Sequence, residues 1–502
     1  MLVVYLIISV ISLLLFHDYL TRRSRKWKLL SKFPGDPTVP FFGNILQMGF
    51  DTDEYPKILS DMWKRHGKVN FKVMMGPEAW VILSHSSELS KPIERNAAMV
   101  PFFGNSVSTS EGDRWRSTRK LMIDSFQFKS LDKRLAVVNR NCDTLIAKLG
   151  EFDGKEPVDF YYYLKPHMLD SLCESLMGVK TNYLDNPGHE YIAASGKIVN
   201  YVTRHYFTHW KRIDTLFKLT EEYREMQNII KTLRKNGYYI ISERKKGLKK
   251  FIEEIKENNA ALKGRELESH VKHTVESNGC MLDFLLMSTL PNGSPVPDDM
   301  IREEVDLVTF TGHYTTTMTM CHVLYNLAKY PDVQKRVYEE QNSVLSADFS
   351  RQPYNQELND MKYLEAVIKE TMRIIPTVPK IARQLKEDLQ LEDGRVLPAG
   401  TEAVIYYEGI FFNSDVYPEP HKFNPERFFE PLHPYAFVPF SAGPRNCLGF
   451  RYAWMAMKAT LSKLIRQYEF LEGGPGREPL FDYKLITESQ NGIQLKIKSR
   501  RS

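Results

Sequence analysis

The residues best able to do chemistry stand together near the C-terminus, in Phe440-Ser441-Ala442-Gly443-Pro444-Arg445-Asn446-Cys447-Leu448-Gly449. Two glycines and a proline make this a rigid loop, and an apolar helical run from Phe450 to Leu464 follows at once. Cys447 is thereby presented just ahead of a helix N-terminus. There the helix dipole and free backbone N–H groups favour an anionic sulfur, the form that ligates a metal. Arg445, two residues earlier, is placed for a charge-assisted bond to a carboxylate. Cys142, Cys173, Cys280 and Cys321 are scattered without a C-x-x-C pair, so they read as small buried hydrophobes and not as a disulfide framework or a zinc site.

Three other groups have spacings that bring side chains together. Glu370 and Arg373 share a helix face and can pair; Glu221 and Arg224 have the same spacing and read as a solvated pair, but the Glu370 helix is apolar and ends in Ile374-Ile375-Pro376. Trp115 and Arg119 also share a helix face, which read alone is equally an exposed amphipathic helix. Pro297, Asp298 and Asp299 mark a helix start with an acidic first turn, and an apolar stretch runs from Met300 to Leu327. Its middle is Thr311-Gly312-His313-Tyr314-Thr315-Thr316-Thr317. A glycine and four threonines in a buried helix loosen the hydrogen-bond ladder and leave room for a small molecule and a water; the alternative is that the hydroxyls bond back to backbone carbonyls.

The elements that must position these groups are mostly helical. Hydrophobic periodicity predicts helices over residues 131–149, 221–243, 298–330, 361–374 and 450–468, and a small sheet over 67–84 and 385–408. The stretch 244–280, rich in Lys, Glu and Asn, reads as a solvated helix end and a loop. The fold class is therefore mainly α with a minor β part. A net charge of +6 is the small difference between 68 basic and 62 acidic residues, which excludes nucleic-acid binding as the basis of function. At the N-terminus no charge occurs from Leu2 to Phe16, and Arg22, Arg23, Arg25, Lys26 and Lys28 follow. This predicts a transmembrane signal anchor over 1–20, with the body in the cytosol and the endoplasmic reticulum as the membrane. A basic, proline-rich linker over 21–44 then leads to one catalytic domain over 45–502.

The pattern F-x-x-G-x-R-x-C-x-G around Cys447 resembles the haem-binding signature of cytochromes P-450 at every fixed position, and the flanking sequence resembles most the animal, arthropod-type members of the family-4 clan. The resemblance implies the single-domain α-rich P-450 prism with a small β side domain. It implies heme b with iron axially ligated by Cys447, and haem contacts from Arg445, Phe440, Gly449, Trp115, Arg119 and Arg383. Glu370, Arg373 and Arg427, the last in Pro425-Glu426-Arg427-Phe428, would form a buried structural triad. Thr315 and Thr316 match the family's catalytic threonines, with Thr315 steering protons. Phe102, Phe103, Phe310, Thr311, Thr377, Val378, Ser489 and Gln490 would line the substrate pocket.

Two departures stand out. Tyr314 replaces the expected acid, and a phenol with pKa near 10 does not relay protons as a carboxylate does. Thr311 stands where many family-4 members carry a glutamate that esterifies the haem, so the haem should be non-covalent. The implied reaction is insertion of one oxygen atom from O2 into a lipophilic substrate (a fatty acid, hydrocarbon, hormone or xenobiotic). Electrons would come from NADPH through a flavoprotein reductase, with cytochrome b5 as an additional partner. The missing acid leaves open a reductase-independent enzyme rearranging lipid peroxides, and a third alternative is a ligand-sequestering haem protein.

Overall fold

The computed structural model describes residues 1–49, 51–76, 78–84, 100–123, 126, 128–290, 293–346 and 351–500. Its centre is the helix Asp298–Lys329. Pro297 precedes it, Asp298 and Asp299 occupy its first turn, and Pro331 opens the next helix, Pro331–Leu345. Val305, Phe310, Tyr314, Met320, Leu324 and Leu327 are buried on different faces of this helix, so it runs through the main core rather than over it. Packed around it are Phe160–Met177, Glu221–Asn258, Lys362–Ile374 and Phe450–Gln467. Lys362–Ile374 and Phe450–Gln467 match the helices expected over 361–374 and 450–468, and the central helix matches 298–330, whereas Phe160–Met177 lies in a stretch for which the periodicity predicted no helix.

The stretch 244–280 differs. The helix that starts at Glu221 continues through the Lys- and Glu-rich segment to Asn258, and a second helix, Gly264–Asn278, follows. Leu248, Ile255, Val271 and Val275 form a small separate core between the two. Charged residues dominate the composition here, yet four apolar residues at helical spacing are enough to build a seam.

The strands are short. β1 (Phe71–Met75), β2 (Glu78–Leu83), β4 (Lys380–Gln384) and β7 (Glu402–Tyr406) form one sheet in the order β1-β2-β7-β4. Only the β2–β7 pair is parallel. β3 (Val158–Asp159), β8 (Tyr468–Glu472) and β11 (Gln494–Ser499) form a second sheet with β11 in the middle, while β5 (Leu389–Gln390) pairs with β6 (Val396–Leu397) and β9 (Phe481–Tyr483) with β10 (Thr487–Ser489). Strands β4 and β10 matter most for the site. Arg383 lies in β4, and Thr487 of β10 bonds through its backbone N–H to Thr377 O at 2.8 Å and through its hydroxyl to Pro376 O at 2.6 Å.

At the N-terminus the exposed helix Leu2–Arg23 is long and apolar enough to cross a bilayer. Its last turns are tied to the segment that follows. Asp18 pairs with Arg22 at 2.6 Å and accepts the Phe41 N–H at 3.0 Å, and Arg22 also donates to Thr38 Oγ1 at 3.1 Å. A short helix, Arg25–Leu30, comes next; Leu30 and Phe33 are buried with Val81, Leu83 and Leu397, and Lys26 Nζ donates to Gly400 O at 3.0 Å.

Candidate active site

The cysteine loop folds as a tight, backbone-bonded turn. Ser441 N–H donates to Val438 O at 2.9 Å, Asn446 N–H to Gly443 O at 3.1 Å, and Cys447 N–H to Phe440 O at 3.0 Å. Gly443 has φ +74°, a conformation open to glycine and strained for other residues. Gly449 is the N-cap of the helix Phe450–Gln467, so Cys447 lies two residues ahead of that cap. Its side chain opens into a cavity of about 370 Å³. Desolvation pushes the Cys447 thiol up, while the Gly449 backbone N–H and Arg119 pull the other way. Burial therefore outweighs the helix terminus for the thiol itself, and a bound metal cation is what would hold it as thiolate.

The same cavity is lined by Trp115, Arg119, Arg383, Phe440, Arg445 and Gly449. Arg445 lies over the Trp115 ring, 4.1 Å from guanidinium carbon to centroid, and donates to Ser110 O at 2.9 Å and Val107 O at 3.4 Å. Arg119, one turn beyond Trp115 on the helix Gly112–Ile123, donates to Asn446 O at 3.1 Å and Asn446 Oδ1 at 2.5 Å. Arg383 donates to Ala382 O at 2.9 Å. Desolvation lowers the pKa of Arg119 and of Arg383, so each guanidinium gains from an anionic neighbour.

These groups fit a haem. Trp115, in the cavity lining, has a buried Nε1 with no hydrogen-bond partner among the described residues, a donor available to a haem carboxylate. Among the described residues no three His, Cys, Asp or Glu side chains gather as a metal site. A lone cysteine therefore suits an iron already held by a macrocycle, with carboxylates for the guanidiniums.

On another wall stand Thr311, Gly312, Thr315, Thr316 and Thr319 of the central helix, with Thr377 and Val378 beside them. The helix stays α throughout this stretch. Thr311, Thr315, Thr316 and Thr319 each donate from the hydroxyl to the carbonyl four residues back, at 2.8, 3.0, 2.9 and 3.0 Å. The back-bonding alternative is thus the arrangement observed, and Thr315 both back-bonds and lines the cavity. Leu172 packs close against Gly312, in space that a Cβ there would occupy.

Five expected pocket residues are placed elsewhere. Phe102 and Phe103 are buried against Phe310, with centroids 5.4 and 5.7 Å from its ring, and Phe310 stacks on Tyr314 at 5.2 Å. These rings satisfy one another in the core and are not among the described residues lining the cavity. Ser489 and Gln490, at the end of β10, are not among them either; Ser489 donates to Asn491 Oδ1 at 2.7 Å and Gln490 is exposed. Sequence reading missed Val107, Ser108, Met122, Phe126, Leu172 and Asn446, which do line it. Only Asn446, inside the cysteine motif, carried a local signal.

The triad forms as expected. Arg373 donates to Glu370 from Nε at 2.7 Å and from Nη2 at 2.8 Å, and Arg427 Nε reaches the same carboxylate at 3.1 Å. Tyr314 turns away from the cavity and donates to Glu488 Oε1 of β10 at 2.6 Å. Lys165 Nζ lies 4.9 Å from the Tyr314 ring centroid, and burial pushes that ammonium down to about 7. Burial also raises the Glu488 carboxyl. A carboxylate thus stands beside position 314 after all, supplied from another element.

A cysteine at a helix start, facing guanidiniums and a threonine-rich helix across one cavity in a helix-rich fold, is an arrangement able to hold a haem by a cysteine sulfur. The sequence model of the family "Cytochrome P450" matches residues 33–497. The chain is similar to cytochrome P450 4d2 of Drosophila melanogaster, 31% identical with 99% of each chain covered, and to cytochrome P450 4c3 of the same species, 33% identical over 99% of this chain and 94% of the relative. It is also similar to human cytochrome P450 4V2, 32% identical over 95% and 92% of the two chains. The chain belongs to the cytochrome P450 family. It is a haem-thiolate monooxygenase whose cofactor is cysteine-ligated haem b.

Proposed function

We propose that Cys447 would hold the haem iron through its sulfur, that Trp115, Arg119, Arg383 and Arg445 would hold the haem carboxylates, and that the enzyme oxidises a lipophilic substrate with electrons passed from NADPH by a flavoprotein reductase. Fatty acids, hydrocarbons, hormones and xenobiotics are the substrate classes this reading covers. The observation that carries it is one cavity shared by the cysteine loop, three guanidiniums and the threonine wall. When bound, the haem supplies the activation of dioxygen, with thiolate donation favouring O–O cleavage.

The chain's own residues do the rest. Leu172, Leu176, Val308 and Met372 give the cavity an apolar lining that admits a lipophilic molecule and excludes bulk water. The Thr315 hydroxyl, donating to Thr311 O in this arrangement, is the proton carrier on the cavity side. Phe440 and Gly449 shape the seat around the cysteine, and Thr316 backs Thr315. The helix Leu2–Arg23, with Arg22, Arg23, Arg25, Lys26 and Lys28 after it, anchors the body to the cytosolic face of the endoplasmic reticulum in one pass. The body from residue 45 onward acts as one catalytic domain.

Cys447→His tests the ligand assignment. It should abolish the strongly red-shifted Soret band of the reduced carbon monoxide complex, because imidazole donates less charge to iron than thiolate does. Persistence of that band would exclude Cys447. Tyr314 in the acid position favours a second reading, reductase-independent rearrangement of lipid peroxides. Product formation without NADPH would establish it.

A further inference from the structure

The segment between the helix Val100–Phe103 and the helix Gly112–Ile123 places Val107 and Ser108 in the cavity wall. It contains no regular structure, so its shape must come from its bonds. Inside it, Thr109 Oγ1 donates to Gly104 O at 2.8 Å and Ser110 N–H to Ser106 O at 2.7 Å. The external ties are more telling. Val107 N–H is accepted by both oxygens of Glu304, at 2.9 and 3.1 Å, while Val107 O accepts from Arg445 at 3.4 Å and Ser110 O accepts from the same guanidinium at 2.9 Å. One residue of the wall is thus held at its N–H by the central helix and at its carbonyl by the cysteine loop. Arg114 adds a third tie, donating to Asn105 O at 2.8 Å and to Glu303 Oε2 at 2.8 Å.

Glu304 is 3% exposed and makes no ion pair within 4.0 Å among the described residues, although Arg114 lowers and Glu303 raises its pKa through space. A carboxyl group buried this deeply is costly unless hydrogen-bonded. Here its hydrogen-bond partner is the backbone of a cavity-lining loop.

We infer that Glu304 is a positioning residue for substrate specificity: acting through the Val107 N–H, it sets where Val107 and Ser108 stand and therefore which long apolar molecules the cavity accepts. The effect on specificity rests on the monooxygenase reading, whereas the backbone tie does not.

The test uses full-length haem protein as wild type, Glu304→Ala, Glu304→Asp and Glu304→Gln. Two quantities are read: hydrogen exchange of the backbone amides over residues 104–110, and the dissociation constants of imidazole and of 1-octylimidazole from the shift of the Soret band. Ala removes the acceptor and Asp withdraws it by one methylene. Both should speed Val107 exchange about tenfold, the effect of losing one buried hydrogen bond. Both should also weaken 1-octylimidazole about tenfold relative to imidazole, which lacks the apolar chain. Gln keeps an oxygen for the same N–H and should stay within about threefold of wild type on both readings.

General damage to the fold would weaken the two probes together. That outcome, or exchange at the wild-type rate in both Ala and Asp, overturns the assignment. Faster exchange with an unchanged affinity ratio overturns the specificity role. If Glu304→Ala does not fold, Glu304→Asp retains the carboxyl and decides the matter. A wild-type protein without the thiolate spectrum would refute the monooxygenase reading, and amide exchange would still decide the tie.

Discussion

Replacing Glu370 by Ala should destabilise the protein more than replacing Arg427 by Ala, because four donors converge on that one carboxylate. It accepts from Arg373 Nε and Nη2, from Arg427 Nε, and from the Asn424 N–H at 2.8 Å. The Glu370 and Arg373 side chains are 0% exposed and that of Arg427 is 9% exposed. Removing the anion strands two guanidiniums out of water. Arg373 keeps the carbonyls of Phe411 and Pro420, at 2.8 and 2.7 Å, but no counter-charge among the described residues. Breaking a buried pair in this way costs about 3–5 kcal/mol. Total stability for a domain is about 5–15 kcal/mol, so a third or more of it would go. Arg427→Ala leaves Glu370 paired to Arg373 and should cost only about 1–2 kcal/mol. Urea unfolding followed by tryptophan fluorescence, with haem retention measured in parallel, gives both numbers. A Glu370→Ala shift below about 1 kcal/mol, or one no larger than that of Arg427→Ala, would refute the idea that this carboxylate holds the cluster together.

Three further outcomes are expected. Burial raises the Glu304 carboxyl to about 8, with the Val107 N–H and Arg114 opposing; the folded state then binds a proton that the unfolded state releases near pH 4.5. The associated stability is complete below pH 4.5 and is lost as pH rises through about 8, by at most about 1.4 kcal/mol per pH unit, and Glu304→Gln should remove that slope in urea unfolding from pH 5 to 8. Because Thr311 offers a hydroxyl and no carboxylate, acid and organic solvent should extract all haem from the wild-type chain; haem that stays with the denatured polypeptide would contradict this. Thr315→Ala should lower product formed per NADPH consumed by about tenfold to a hundredfold, with the lost electrons appearing as peroxide, and unchanged coupling would reduce Thr315 to a structural residue.

What the sequence made legible were local patterns. The cysteine loop, the Trp115–Arg119 face and the Glu370–Arg373 face are written within a few residues each, and their helical context follows from periodicity. Contacts between distant segments were not legible. Glu304 sits beside Glu303 on a helix opening with two aspartates, and nothing local marks it as the one that bonds a loop 197 positions earlier. Glu488, the partner of Tyr314, lies 174 positions downstream in a three-residue strand. The aromatic run Phe102, Phe103 and Phe310 reads as a pocket by resemblance, whereas ring–ring packing turns these side chains into the core. The helix Gly264–Asn278 was hidden because charge dominates its composition.

The fastening of the first helix at Asp18 and Arg22 has a mechanical consequence. Twenty-two helical residues make a rod of about 33 Å, and its base is clamped to Thr38 and Phe41 rather than freely jointed. A freely jointed tether would let the body roll and pitch independently of the rod. Clamped, the two share one tilt, so the bilayer that sets the angle of the rod also sets the attitude of the whole protein. Cutting the clamp with Asp18→Ala and Arg22→Ala together would leave the rod in the membrane but widen the range of angles the body samples, a change that fluorescence anisotropy on oriented bilayers measures directly.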